Sequence, residues 1–385
     1  MLLYFSKIIL LSAIFLTCYT YLFYPIILFV VTSGKTCDKK GDGDDCYVPS
    51  VSIVVAAYNE EKIIESKLKN ISALDYPKDR ITSLIASDGS DDATCEIVRG
   101  YGASNITLVE LPRSGKVNVL NSAVPLAHGE IIVFSDANTM YRPDAIKKLV
   151  THFKDPGIGC VCGNLTLVNP KKLQSGEGES FYWRYESWIK EKESRLGCVV
   201  GANGAIYAIR KSLFEKMPAK VINDDFHISM KIMERGHKVI YEKEAIGTED
   251  VALDFNSEFL RHVRDGAGHY QEIAYLTGLL NPFKGIRFFA YVSHRFIRWI
   301  VPFLLPIIII FNIPLLQSYP YRILFILQIS MYTLAILTFF LQRADIETGI
   351  FKIPFFFLSI NCALIIGFFK NISGAQGVTW DRTAR

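Results

Sequence analysis

Residues 8–31, IILLSAIFLTCYTYLFYPIILFVV, carry no charged side chain. As a helix, a run of that length crosses a bilayer core of roughly 30 Å. It exceeds the apolar centre of a signal peptide, about 7–15 residues, and no small-residue cleavage site follows, so it reads as a retained anchor. From about residue 286 the chain turns apolar again, with spans expected near 300–317, 321–341 and 353–369. The stretch between has ordinary soluble composition. The pattern predicts an anchor over 1–32, a polar linker over 33–49 and a globular domain over 50–285. An interface helix with about three further spans follows over 286–370, then a tail over 371–385. In GIRFFAYVSHRFIRW, Arg287, Arg295 and Arg298 stand among aromatics, as in a helix lying in the membrane interface.

Charge sets limits on function. A net charge of +4 is too small to argue for nucleic acid as a partner. Lys7 alone precedes the first span, whereas Lys35, Lys39 and Lys40 follow it, which predicts an integral membrane protein with its globular domain on the cytoplasmic side. Three later spans then leave Lys370, Arg382 and Arg385 on the outer face, against the same rule, so the side of the tail stays open. The apolar spans hold no acidic residue, which argues against a transporter. The eight cysteines have no metal-like rhythm. Cys37 and Cys46 bracket CDKKGDGDDC within the linker and could pair in an oxidising compartment, and Cys160 and Cys162 share one face of a strand; reduced thiols are the expectation for a cytosolic domain.

The globular part alternates short β-branched runs with helical spacing. VSIVVAA, ITSLIAS, NITLVEL and EIIVFSD read as strands, with EKIIESKLKNISAL and KVNVLNSAVPLA as helices. Such alternation predicts an α/β domain with a mostly parallel sheet. Ligands bind such sheets beyond the carboxyl ends of the strands. Three strands end there in polar clusters: Tyr58-Asn59-Glu60 after Ala57, Asp88-Gly89-Ser90, and Asp136-Ala137-Asn138. Any one of these is equally well a helix cap, and Asp91 and Asp92 are read as caps. Asp88, at its strand end, is expected to face the cleft. Asp136 and Asn138 together offer oxygens to one hard cation such as Mg²⁺ or Mn²⁺, which also binds diphosphate oxygens. Lys116 opens a helix after a glycine, where it is either a solvated lysine or a phosphate contact. Asp224 and Asp225 stand before a helix ending at Gly236; their mutual repulsion suits a general base, and an N-cap is the plainer alternative. Arg261 and Arg264 form a cationic pair at helical spacing, suited to a diphosphate or to anionic headgroups.

Taken in order, these motifs resemble the family 2 glycosyltransferases of the GT-A fold, above all the membrane-embedded β-glycan synthases that make cellulose, chitin, hyaluronan and poly-N-acetylglucosamine. AAYNEE is similar to the family's opening strand and nucleotide-binding turn, which assigns Ala57, Tyr58 and Glu60 to the donor. SDGSDDAT is similar to its Asp-Gly-Ser turn, which implies that Asp88 contacts uracil. GKVNVLN places Lys116 towards the nucleotide, and SDAN stands at the Asp-x-Asp metal motif. GANGAIYAIRKSLF matches the acceptor-side glycine strand around Asn203 and Gly204. NDDF stands at the Thr-Glu-Asp motif, which makes Asp225 the base and Asp224 the acceptor's orienting group. The resemblance implies a UDP-sugar donor, a glycan or lipid-linked acceptor, membrane lipids as surroundings and a divalent metal.

Two departures stand out. Asn138 replaces the second metal aspartate, leaving the charge to Asp136 and the diphosphate. The Gln-x-x-Arg-Trp motif of processive synthases appears as RHVRDG: Arg264 keeps the arginine, Arg261 replaces the glutamine, and Asp265 stands where the tryptophan lies near the acceptor sugar. YWRYESW, Tyr182 to Trp188, offers another aromatic surface. Two acceptor fates therefore stay open: a growing glycan, or one sugar moved to a polyprenyl phosphate or glycolipid. The terminal WDRTAR is similar to a tail of some synthases, which implies a cytosolic tail.

Overall fold

The computed structural model describes residues 1–34, 47–168, 176–250, 255–344, 346 and 348–377. Cys37, Cys46, most of the expected linker and the WDRTAR tail lie outside them. The chain divides into two compact units: Met1–Ser33, Asn169–Ile189 and Ala252–Gln376 form one, and Gly34–Val168, Lys190–Val251 and Gly377–Arg385 the other.

In chain order, α1 (Leu2–Cys18) and α2 (Tyr24–Thr32) are joined by a π-helical turn into one continuous helix. The α/β unit then begins with β1 (Val51–Ala57), α3 (Ile64–Ser72), β2 (Ile81–Asp88), α4 (Thr94–Tyr101) and β3 (Ile106–Leu111). It continues with α5 (Lys116–Leu126), β4 (Ile131–Asp136), β5 (Met140–Tyr141), α6 (Ala145–Thr151) and β6 (Ile158–Val168). After α7 (Gly176–Ser194) come β7 (Ile206–Arg210), α8 (Asp224–Glu234) and β8 (Lys238–Asp250).

One sheet of order β3-β2-β1-β4-β7-β6-β8-β5 results. The first four strands are parallel, β7 runs antiparallel to both β4 and β6, β6 and β8 are parallel, and β5 is antiparallel to β8. This is the expected α/β fold of GT-A type, with a mixed rather than wholly parallel sheet. All seven residues of β1 are buried, as a central strand covered on both faces requires. On one face Ile53, Val55, Ile131 and Val133 pack with Leu68 and Ile71 of α3 and Ile146 and Leu149 of α6. On the other, α5 lies over β1 and β2 through its buried apolar side chains.

The second unit is built from apolar helices. It contains α9 (Phe255–Tyr275), α10 (Ile286–Tyr291), α11 (Ile297–Asn312), α12 (Tyr319–Arg343) and α13 (Lys352–Ser373). Four helices among the described residues are long and apolar enough to cross a membrane: Leu2–Thr32, Ile286–Leu315, Tyr319–Arg343 and Lys352–Ser373. Their outward side chains, among them Leu11, Phe15, Ile326 and Phe340, are large, apolar and exposed, as on an integral membrane protein.

Two expectations change here. The helix expected to lie in the interface is no separate element: α10 passes through a π turn at Val292–Phe296 directly into α11. Two of its three arginines explain why. Arg298 is 5% exposed and pairs with Glu186 of α7, whose other oxygen lies 3.2 Å from Arg295 and 3.3 Å from His294. These cations are held by a buried carboxylate rather than by headgroups. Burial would raise the Glu186 carboxyl, but Arg298, Arg295 and His294 hold it well below the usual range.

The domain expected over 50–285 is also divided, because most of α7 and all of α9 belong with the apolar helices. Close packing of α9 on α13 accounts for the latter. A Cβ at Gly367 would stand 2.6 Å from the Val263 carbonyl oxygen, so only glycine permits this approach, as is common between membrane helices.

Candidate active site

β1, β2 and β4 are neighbours and parallel, so their carboxyl ends share one edge; Ala57 pairs with Ser87, and Ala56 with Asp136. β7 runs the other way, pairing Ser135 with Ile206, so its entry loop, with Asn203 and Gly204, reaches the same edge. The sequence clusters after β1, β2 and β4 are thus brought together with the start of β7.

At the middle of this edge stands Lys116, the first residue of α5. Its ammonium is 2.9 Å from Asp136 Oδ1 and 3.5 Å from Asp224 Oδ2. Burial would lower its pKa, but Asp136, Asp224 and Asp225 outweigh burial and hold the ammonium well above its usual range. The expected repulsion between the adjacent aspartates is answered by this cation. The solvated-lysine reading fails, since the Lys116 side chain is only 21% exposed and committed to carboxylates.

Asp224 and Asp225 form the first turn of α8 rather than preceding it; Asn223 is the N-cap residue, with no side-chain cap bond. The N-cap alternative therefore does not apply to either aspartate. Asp225 Oδ1 accepts from the Phe226 N–H at 2.8 Å. Its Oδ2 lies 3.2 Å from where a Cβ on Gly204 would be, so glycine at 204 leaves room for the carboxylate beside the β7 loop. Asn203 shapes that loop, its Oδ1 accepting from the Ala205 N–H at 3.4 Å.

Asp88 departs from expectation. It is fully buried and does not face the cleft. Its carboxylate accepts from the Ser114 N–H at 2.7 Å and the Gly115 N–H at 3.1 Å, and it pairs with Arg113. The loop before Lys116 folds back over the strand end and claims the charge. Arg113 in turn lies over the Tyr58 ring, 3.4 Å from its centroid. Tyr58, Arg113 and Asp88 form one stack beside the Lys116 cluster. Glu60 donates its N–H to Thr94 Oγ1 at 2.8 Å, which ties the β1 turn to α4. Neither Asp91 nor Asp92 is the cap expected: Ala93 is the N-cap residue of α4, with no side-chain cap bond, while Asp92, one residue earlier, accepts from the Thr94 N–H at 2.9 Å and Asp91 accepts from the Asn59 amide at 2.5 Å.

Two residues escaped the sequence reading. Arg113 had a signal, standing three residues before Lys116 in the run RSGK. Tyr207 had none beyond its place in the glycine strand. It stacks on Phe134 with centroids 4.6 Å apart, and its hydroxyl has no hydrogen-bond partner among the described residues. Burial pushes the phenol's pKa well up, and Asp224 and Asp225 push it further.

A divalent cation fits the residues present, though no group of three potential ligands occurs among the described residues. The Asn138 amide nitrogen is buried without a partner. A half-turn of the amide exchanges nitrogen for oxygen, which offers an oxygen at that position, two residues after Asp136. One carboxylate and one amide oxygen suit Mg²⁺ or Mn²⁺ taking its remaining oxygens from a diphosphate.

The expected arginine pair lies on α9, in the unit of apolar helices. Arg261 pairs there with Glu258, which also lies 3.2 Å from His262, while Arg264 is half-buried.

A three-layer α/β sheet with carboxylates and a lysine gathered where β1 and β4 end is the arrangement of GT-A nucleotide-sugar transferases. Residues 49–268 match the family described as glycosyltransferase like family 2, and the chain belongs to that family. It is therefore a glycosyltransferase. It is similar to the poly-beta-1,6-N-acetyl-D-glucosamine synthase of Staphylococcus aureus (strain COL), 27% identical over 289 residues covering 70% of this chain and 69% of that protein. The Staphylococcus epidermidis protein of the same name is 27% identical over 205 residues, covering 52% and 49%. Among solved structures, the mannosyltransferase PcManGT from Pyrobaculum calidifontis, in complex with GDP-Man and Mn²⁺, shares the fold with a TM-score of 0.71. The two are 23% identical, with 94% of this chain and 99% of that one covered.

Proposed function

We propose that this membrane glycosyltransferase inverts the donor's anomeric centre by single displacement, with Asp225 as general base. The observation that carries this reading is the convergence of Asp136 and Asp224 on Lys116, with Asp225 the next residue in the first turn of α8. Asp225 takes the proton of an acceptor hydroxyl as its oxygen attacks the anomeric carbon, and the bond from that carbon to the diphosphate oxygen breaks. Asp224 orients the acceptor. Lys116 is placed to follow the charge that develops on the leaving diphosphate, moving from the carboxylates to phosphate oxygens. Asp136 and Asn138 hold the divalent cation, which when bound supplies Lewis-acid stabilisation to the leaving group. Tyr58, with Arg113 and Asp88 behind it, forms the wall for the base, and the catalytic unit faces the cytoplasm.

The donor is proposed to be a UDP-sugar, on the resemblance to amino-sugar polymer synthases, and the acceptor a growing glycan. A second reading, transfer of one sugar to a polyprenyl phosphate or glycolipid, is favoured by Asp265 standing where processive enzymes carry tryptophan. The test is nucleotide-diphosphate release by the purified, lipid-reconstituted protein over UDP- and GDP-sugars with Mg²⁺ or Mn²⁺, with products sized on a gel. The expected result is metal-dependent release from one UDP-sugar with a polymer ladder. Release with a single-sugar glycolipid selects the second reading, and release from a GDP-sugar alone corrects the donor. Silence with every donor, with lipid extracts added, overturns the function.

A further inference from the structure

Lys67 and Asn70 stand one turn apart on α3, and the reaction as drawn uses neither. Lys67 is fully buried. Its ammonium donates to Ser135 Oγ at 2.6 Å and to the Thr139 carbonyl at 2.5 Å, and it lies 4.4 Å from the centroid of the Tyr141 ring. Asn70 donates its amide to the Tyr141 carbonyl and accepts from the Tyr141 N–H, both at 2.8 Å. Every one of these contacts ends on residues 135–141, the segment that carries Asp136 and Asn138. From the opposite side Glu249 of β8 accepts from the Thr139 hydroxyl.

A buried ammonium is a costly way to fill space, and burial draws this one down to about 7 against the pull of Asp136 and Glu249. A leucine at 67 would complete the apolar face of Ile64, Leu68 and Ile71 without that cost. What leucine lacks is a donor that joins the residue before Asp136 to the residue after Asn138. Lys67 spans the turn and closes it.

We propose that Lys67 and Asn70 are positioning residues that clamp the Asp136-Ala137-Asn138 turn, and that they set how tightly the diphosphate-bound cation is held. This rests on Asp136 and Asn138 being its ligands. Residues that orient metal ligands typically contribute about 10–100-fold in metal affinity.

The test compares the full-length wild type with Lys67→Met, Asn70→Ala and Asp136→Ala in detergent. Mn²⁺ binding is followed by electron paramagnetic resonance of free Mn²⁺ with nucleoside diphosphate present, beside thermal unfolding. Lys67→Met is expected to weaken Mn²⁺ binding at least about tenfold, and Asn70→Ala severalfold, with kcat at saturating Mn²⁺ largely retained. A merely structural role would lower the unfolding temperature and leave Mn²⁺ binding per folded molecule unchanged. That result in either variant overturns the clamp, and Asn70→Ala, at a half-buried position, decides alone if Lys67→Met does not fold. Unchanged Mn²⁺ binding in Asp136→Ala removes the ligand assignment instead.

Discussion

Asp225→Asn is expected to lower kcat by about 10²–10⁴ while leaving the unfolding temperature and donor affinity close to wild type. Asparagine fills the same volume beside Gly204, and its oxygen still accepts from the Phe226 N–H. Lys116 keeps Asp136 and Asp224 as partners, so no buried cation is stranded. Only the capacity to accept a proton is lost. Steady-state release of nucleoside diphosphate, with thermal unfolding alongside, checks this; a variant that keeps wild-type rates removes Asp225 as the base.

The second large effect belongs to Asp136→Ala. Asp136 is the nearer carboxylate to Lys116 and the charged member of the Asp-x-Asn pair. Without it, on the proposed assignment, the cation would keep one neutral protein oxygen, from Asn138, and the diphosphate. Turnover is expected to fall at least about 10²-fold, the scale of losing one group that stabilises leaving-group charge. The metal concentration for half-maximal release should rise at the same time. Folding should survive, because Asp224, 3.5 Å away, still faces the ammonium. Titration of Mg²⁺ or Mn²⁺ against release distinguishes the two effects. An unshifted metal dependence with normal turnover places the cation elsewhere.

Much of this site was legible in the sequence because parallel strands announce themselves twice. VSIVVAA is apolar throughout, as a strand covered on both faces must be, and the polar residues that follow mark its carboxyl end. The same pattern in β2 and β4 places three clusters on one edge from the sequence alone. Lys116 was legible for a similar reason, since it follows a glycine at a helix start.

What escaped depends on chain segments that fold back from elsewhere. Nothing at a strand end says that the loop of Arg113 to Gly115 will return over Asp88 and bury it. Likewise Arg298 looks interfacial among its aromatic neighbours, because the carboxylate it meets, Glu186, is more than a hundred positions away. The α9 helix reads as part of the globular domain by composition, yet Gly367 draws it onto α13. Lys67 carries a signal in the sequence itself. It stands in step with Ile64, Leu68 and Ile71, on the face a helix buries, where a lysine is out of place unless it holds something.

The most direct measurement of the central claim is the anomeric configuration of the product, read from the proton coupling of the new linkage by nuclear magnetic resonance. Single displacement on an α-linked nucleotide sugar with Asp225 as the only base gives a β-linkage, and that is the expected result. An α-linkage from the same donor would require a different mechanism and would contradict the account.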